Sequence, residues 1–468
     1  MATFDADIFF SSISELQAGI RAKKFSSVEL TRAFCDRLER YGQRYNALAV
    51  SLREEGIRQA EDADDDIKRD RIRSPLAGVP YAVKDLLAVR KHPTTWGAKP
   101  FAGQVFDEDA FVVKKLAKAG AVLIGKLSMV ELAGGGGYRF AAASLQGPGL
   151  NPWDITRWSG GSSSGSGSAV AAGLVPWAIG TETSGSILTP AAFCNVTGLR
   201  PTYGLVSRTG AMALSWTLDK IGPMARSAED CGLILHVMSG ADPDDPGSAG
   251  KRFYYVPQFA PKMADLKVGY NPADFTEGVT AESRPAFAQA LEAFKSLGAK
   301  MVEAKLPDFP YGPMVSTIIS AEMGSIFESL VESGKVDELA DKRQIAGIKA
   351  SQEVLAKDYL RAMRVRRLAN QKFREMFFEM DLYLTPARSG PASKISEPLD
   401  RPGPPASPVI PAGNLAGLPA ISLPCGFAEN MPLAISLLGA PFTEGKLLAV
   451  GKAFQTATDW HKRRPKAP

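Results

Sequence analysis

The chain has 468 residues, 45 % of them hydrophobic, which is enough apolar material for a large buried core and excludes a disordered protein. Its 55 basic and 50 acidic residues leave a net charge of +5, partly in the tail "WHKRRPKAP"; no basic stripe interleaved with aromatics accompanies it, so a nucleic-acid partner is not expected. Four cysteines without paired spacing (Cys35, Cys194, Cys231, Cys425) and three scattered histidines (His92, His236, His461) support neither a disulfide framework nor a metal site.

The start, "MATFDADIFF", carries acids where a signal peptide needs basic residues, and no apolar stretch reaches the ~18 residues that span a bilayer. A cytoplasmic protein without a membrane partner is the expectation. "FSSVELTRAFCDRLERYG" predicts a helix capped by Ser26 or Ser27 and stopped at Gly42, with Val28, Leu30, Phe34 and Leu38 close to helical spacing. "SPLAGVPYAVKDLLAV" reads as a short β-rich run. "DAFVVKKLAKAGAVLIGKLSMVELA" predicts an amphipathic helix, a stop at Gly120 and a buried strand from Ala121 to Ile124, the helix-to-strand order of an α/β protein.

"SGGSSSGSGSAVAAG", residues 159 to 173, has the composition of a flexible linker. It nevertheless runs unbroken into "LVPWAIGTETSGSI", where "SAVAAGL" suits a small-residue helix and "VPWAIG" a strand, so no domain boundary is marked. Residues 308 to 381 predict mainly helix, with Arg361, Arg364, Arg366 and Arg367 on a solvated face. "LYLTPA", "PAISLPCGF" and "LAISLLG" return the chain to strand, and no internal repeat is found.

Three chemistries compete for the glycine-serine stretch. A phosphate-cradling loop needs a Gly-Lys-Ser/Thr ending, yet no lysine occurs between Ser159 and Asp219, and Gly165 and Gly167 lack the third glycine of a dinucleotide fingerprint. A Ser-His-Asp hydrolase needs a histidine beside the serine; none sits in an obvious catalytic motif, although sequence distance leaves that arrangement open. A serine nucleophile activated by lysine needs an amine kept neutral by burial and a hydroxyl to carry the proton. Lys84, Ser162, Ser163 and Ser186 offer these parts, and the surrounding glycines let backbone N–H groups approach a substrate oxygen.

"GVPYAVKDLLAV", the run from "NPWDITRWSGG" through "GTETSGSILTPAAFCNVTGLRPTYGLVSRTG", and "GNLAGLPAISLPCGF" closely resemble the amidase signature family, from near Ala47 to about Phe454. The resemblance implies a single α/β/α sandwich with a mixed, twisted central sheet spanning residues 1–468. Within it would lie a signature core of about 75–225, a variable and mainly helical specificity region of about 240–380, and a return to the sheet over about 381–455. It implies a Ser-cisSer-Lys triad: Lys84 as the base, Ser162 after a cis peptide as the relay, and Ser186, 24 residues further on, as the acyl-accepting nucleophile. The N–H groups of Thr183, Ser184, Gly185 and Ser186 match the family's oxyanion hole, and Ser163 a supporting hydroxyl. No metal or organic cofactor is implied.

Two positions depart from the family pattern. Ser184 stands where glycine or alanine is usual. Leu188 stands where an arginine is frequent, which leaves Glu182 without that partner and favours substrates lacking a carboxylate. The reaction implied is hydrolysis of a small-molecule amide, with carbamates, ureas and esters chemically accessible, by a chain acting alone or as a homodimer. The family also contains the glutaminase subunit of transfer-RNA-dependent amidotransferases, but "SAEMGSIFESLVESG" does not match that subunit's motif, so a stand-alone amidase is the expectation. A catalytically silent binding protein is disfavoured because all three catalytic side chains are present. Tyr138 and Phe140, in "ELAGGGGYRFAAA", are candidates for the pocket wall or for the core.

Overall fold

The computed structural model describes residues 4–400, 403–404 and 407–467. A mixed sheet of 11 strands, flanked by helices, forms the centre of the molecule. Across the sheet the strands are Leu48–Ser51, Val122–Leu127, Pro80–Lys84, Trp177–Glu182, Lys220–Ala225, Thr197–Arg200, Ala420–Ala428, Met431–Gly439, Leu382–Pro386, Lys267–Tyr270 and Lys300–Glu303. Pro80–Lys84 runs parallel to both its neighbours, whereas Trp177–Glu182 pairs antiparallel with Lys220–Ala225. Every residue of these four strands, including Val122–Leu127, is buried, so their apolar residues do not alternate with solvent-facing ones, and the few charged residues they carry are buried with them.

Local chemistry sets the flanking helices. In the helix Ser27–Gly42, Ser26 caps the start: its hydroxyl accepts the Glu29 N–H, and the Glu29 carboxylate accepts the Ser26 N–H. Leu30, Phe34 and Leu38 are buried on one side. Gly42 is not a left-handed stop, because Gln43 continues with helical angles; a Cβ there would sit 2.8 Å from that of Leu48, so this glycine serves close packing.

The same reason explains the linker-like stretch. The helix Ser164–Ala171 is buried at every residue. A Cβ on Gly165 would lie 2.6 Å from the Ala47 carbonyl and the Ser128 nitrogen, and one on Gly167 3.0 Å from Pro190. Small residues are needed here because backbone passes against backbone.

The region expected to be helical contains Tyr311–Ile326, Glu328–Glu332, Lys342–Ser351 and Ala356–Glu379, and the first of these packs against the helix Val409–Leu415. Arg361, Arg364 and Arg367 are exposed, as the charge pattern suggests. Arg366 is not on that solvated face: it turns inward and donates to the carbonyls of Leu415 (2.7 Å) and Thr217 (2.8 Å), which charge spacing alone does not register.

Candidate active site

Lys84 ends its strand, and the parallel register Ala82↔Ala178 and Val83↔Ile179 carries it alongside Gly180 and Thr181. Its Nζ lies 2.7 Å from Ser162 Oγ and 3.0 Å from Thr181 Oγ1, in a fully buried position. Burial lowers its pKa to about 7, against the opposing pull of Asp219 and Glu182. Asp85, one residue on, takes a separate set of partners: it pairs with Lys126 at 2.8 Å and accepts the Thr95 N–H at 3.1 Å.

Ser162 and Ser163 begin the tight turn into the helix Ser164–Ala171, and the Gly161–Ser162 peptide is cis. A side chain on Gly161 would meet Val130 at 2.7 Å, Trp158 at 2.8 Å and the Tyr138 hydroxyl at 3.1 Å, so only glycine fits this wall. Ser163 ties two segments together. Its hydroxyl donates to the Thr181 carbonyl and accepts the Thr181 N–H, both at 3.2 Å, while its own N–H donates to the Ser186 carbonyl at 3.2 Å.

Residues Thr183 to Ser186 link the strand Trp177–Glu182 to the helix Leu188–Cys194. Among the described residues no protein acceptor takes the N–H groups of Thr183, Ser184, Gly185 or Ser186, and the Ser186 hydroxyl has no hydrogen-bond partner. Gly185 holds φ +95°, a conformation glycine adopts without strain. Ser186 is 8 % exposed. The arrangement offers a proton acceptor near its neutral form, two serine hydroxyls and a row of free donors, the parts a nucleophilic acyl transfer requires.

Three supports were not legible in sequence. The Thr183 hydroxyl donates to Asp219 at 2.6 Å, and the other Asp219 oxygen accepts the N–H groups of Leu214 and Ser215. Glu182 is not left without a cation. Arg200, from the neighbouring region of the sheet, pairs with it at 2.9 Å with both side chains fully buried, and Asn414 donates to it at 2.8 Å. Burial pushes the Glu182 carboxyl up, but Arg200, Lys220 and these hydrogen bonds outweigh it and hold its pKa below the usual range. The second Glu182 oxygen accepts the N–H groups of Ile187 and Leu188, fixing the segment just after Ser186. Leu188 itself packs in an apolar cluster with Met314, Ile318 and Ile410.

A cleft of about 450 Å³ reaches Thr181 and Thr183 and is walled by Leu86, Met212, Leu214 and Trp216. The 134–145 loop packs behind this wall at Gly135, where a Cβ would lie 2.9 Å from Leu214. Tyr138 packs edge-on against Trp158, whereas Phe140 is 40 % exposed. The loop is held from the helical region: the Asp341 carboxylate accepts the Arg139 and Phe140 N–H groups at 2.7 and 3.0 Å, and Glu131 accepts the Ala340 N–H. Glu322 on the helix Tyr311–Ile326 similarly accepts from Ser215, Thr217 and Tyr359.

The family model described as Amidase matches residues 29–448. A glutamyl-tRNA(Gln) amidotransferase subunit of Carboxydothermus hydrogenoformans is 37 % identical over 489 residues, covering 98 % of this chain and 100 % of that one. Among solved structures, a chain of a vestigial complex bearing on the origins of an s-triazine catabolic enzyme superposes with a TM-score of 0.87 at 31 % identity, covering 97 % of this chain and 100 % of that one. The native peptide amidase of Stenotrophomonas maltophilia gives 0.86 at 29 %, over 97 % and 98 %. The first of these relatives corrects the expectation of a small-molecule substrate with no nucleic acid and no partner beyond a homodimer. A near-balanced charge argues only against an extended footprint on this chain, and is blind to a transfer RNA handled within a multi-subunit enzyme. With the family model and the full-length relatives in agreement, the chain belongs to the amidase family and is an enzyme that hydrolyses C–N amide bonds.

Proposed function

We propose that the chain cleaves a carboxamide through an acyl-enzyme on Ser186, with Ser162 and Lys84 as the proton relay. The observation that carries this reading is the fully buried Lys84 amine 2.7 Å from the Ser162 hydroxyl, with its pKa lowered by burial. Ser162 passes its proton to neutral Lys84 and takes the Ser186 proton as Ser186 Oγ bonds to the carbonyl carbon. The resulting oxyanion is received by the N–H groups of the 183–186 segment, with Ser163 holding that segment in place. Collapse breaks the C–N bond while Lys84 returns the proton, through Ser162, to the leaving amine. Water then repeats the path and releases the acid.

The cleavage serves as the glutaminase half-reaction of a transfer-RNA-dependent amidotransferase, with this chain as the amide-cleaving subunit. Support comes from relatives of that name matched over nearly the full length of both chains, and it reverses the preference that one helical segment and Leu188 suggested. A second reading, an autonomous amidase, draws on the similarity to the peptide amidase. The region 240–380 is the part of this single catalytic unit assigned to specificity, and the location is cytoplasmic, in keeping with four buried, unpaired cysteines.

Labelling with a sulfonyl fluoride followed by peptide mass spectrometry tests the acyl-enzyme. Stoichiometric modification of Ser186, absent in Ser186→Ala, is the expected result; modification of Ser162 or Ser163 with Ser186 untouched overturns it. Turnover of glutamine against a panel of anilides and peptide amides separates the two readings.

A further inference from the structure

Lys220 opens the strand Lys220–Ala225 and stands across from Glu182, the residue that precedes the 183–186 segment. It is only 2 % exposed, and among the described residues it forms no ion pair with a carboxylate. Its Nζ instead donates to two backbone carbonyls, that of Leu218 and, at 3.5 Å, that of Thr183. Burial, with Arg200 and Arg366 nearby, holds its pKa well below the ordinary lysine range against the pull of Glu182 and Asp219. A neutral amine has two N–H groups, and two acceptors are what this one meets.

The Thr183 carbonyl matters for what lies on the other side of its peptide. In a planar trans peptide the C=O and the N–H of the next residue point in opposite directions, so whatever holds a carbonyl also aims the donor that follows it. The peptides from Thr183 to Ile187 are all trans. The Gly185 carbonyl accepts the Thr189 N–H at 2.9 Å, which sets the Ser186 N–H, and the Ser186 carbonyl accepts the Ser163 N–H at 3.2 Å, which sets the Ile187 N–H on Glu182. The Thr183 carbonyl sets the Ser184 N–H, one of the free donors of the segment, yet among the described residues no backbone N–H holds it. Lys220 takes that place. Its neighbour Asp219 grips the same residue at the hydroxyl, at 2.6 Å, so Thr183 is held at both its side chain and its carbonyl by two consecutive residues.

We propose that Lys220 is a positioning residue for the oxyanion-binding segment: its side chain holds the Thr183 carbonyl and so aims the Ser184 N–H at the negative oxygen formed during acyl transfer. This rests on the acyl-enzyme reading for the location of that oxygen. As charge builds on the substrate, the Ser184 N–H and the Thr183 C=O polarise together, and the 3.5 Å bond from Lys220, long in the resting site, tightens. The side chain acts here as a hydrogen-bond donor. A lysine kept only to balance Glu182 and Asp219 would act through its charge, and the two roles respond differently to substitution.

Lys220→Met keeps the length of the side chain without a donor, and Lys220→Gln keeps a donor without a basic group. With nitrophenyl acetate as substrate, Lys220→Met should lower kcat by about tenfold or more, up to the ~10² of an oxyanion donor lost outright, while KM stays within about threefold. Inhibition by benzeneboronic acid, whose boron bonds to the serine and places an oxygen in the oxyanion site, should weaken by a similar factor. Lys220→Gln should restore most of both. An unchanged kcat in Lys220→Met, a loss confined to KM, or a Lys220→Gln chain as impaired as Lys220→Met overturns the proposal, the last because a counter-charge is lost equally in both. Circular dichroism checks that the variants fold. A measurement on the unsubstituted chain stands apart from folding: with 15N-labelled serine, the Ser184 amide proton should move downfield when benzeneboronic acid binds, and a resonance that does not move overturns the proposal. Failure of the sulfonyl fluoride to label Ser186 would defeat the acyl-enzyme reading instead, whereas a labelled Ser186 with kcat indifferent to Lys220→Met defeats the role of Lys220 alone.

Discussion

The signature core and the helical region beyond residue 308 are built on opposite principles. In the core, Lys84 sits on a fully buried strand, Ser162 and Ser163 lead into a helix so tightly packed that a side chain on Gly165 would clash with backbone and one on Gly167 would press on Pro190, and these three residues are each held by neighbours about 3 Å away. In the helical region the helices beyond Tyr311–Ile326 carry long exposed faces, and the link to the site runs through a few polar anchors: Asp341 on the 134–145 loop, Ala340 on Glu131, Glu322 and Arg366 on the 214–219 segment. Close packing tolerates no substitution without strain, so it suits chemistry that must stay constant. Polar anchors between a helix and a loop allow the loop to be reshaped one contact at a time, which suits choice of substrate.

The sharpest way to break this comparison is to remove the base proposed for the core. Lys84→Ala should lower amide kcat/KM by about 10⁴-fold, since general base and general acid are both lost at roughly 10² each, but a matched nitrophenyl ester by only about 10², because its phenoxide leaves unaided. Equal losses on the two substrates would show that Lys84 does not protonate the leaving amine.

Next in size is the buried pair beneath the nucleophile loop. Arg200→Leu should cost about 3–5 kcal/mol in urea unfolding, because Glu182 is left buried without its guanidinium, and adding Glu182→Gln should recover part of the loss. A cost below about 1 kcal/mol would mean that Lys220 and Asn414 suffice for Glu182. The pH profile is gentler. In the proposed relay the reactive Lys84 is neutral, and its pKa is lowered to about 7, so activity should be present above that value and be lost as pH falls through it, by about tenfold in kcat/KM from pH 8 to pH 6. A flat profile over that window would remove lysine from the role of base.

The smallest effect belongs to the anchored region. Asp341→Ala removes two hydrogen bonds to the 134–145 loop and the cap of the helix Lys342–Ser351, and should cost about 1 kcal/mol of stability and raise KM several-fold while kcat on the nitrophenyl ester holds. A fall in kcat with KM unchanged would place that loop on the chemical side of the comparison.

How much of this was legible beforehand follows the same division. The strands and the helix starts are local properties: apolar runs such as Val122–Leu127 and the Ser26–Glu29 capping box are written in neighbouring residues. The site serines and Lys84 could be named because one long, uninterrupted motif carries the resemblance, and the structure brings Lys84 and Ser162 together across 78 positions of the chain. What stayed hidden depends on contacts between distant segments. Glu182 finds Arg200 and Asn414 from two other elements, Asp219 reaches Thr183 from 36 positions further along the chain, and Arg366 leaves its charged stripe for two carbonyls. By itself the sequence determined element types, family and candidate nucleophile, because periodicity and motif spacing are properties of short range. Only the tertiary structure decided which charges are buried and how they are paired, since pairing is settled by geometry among elements that the chain order does not bring together.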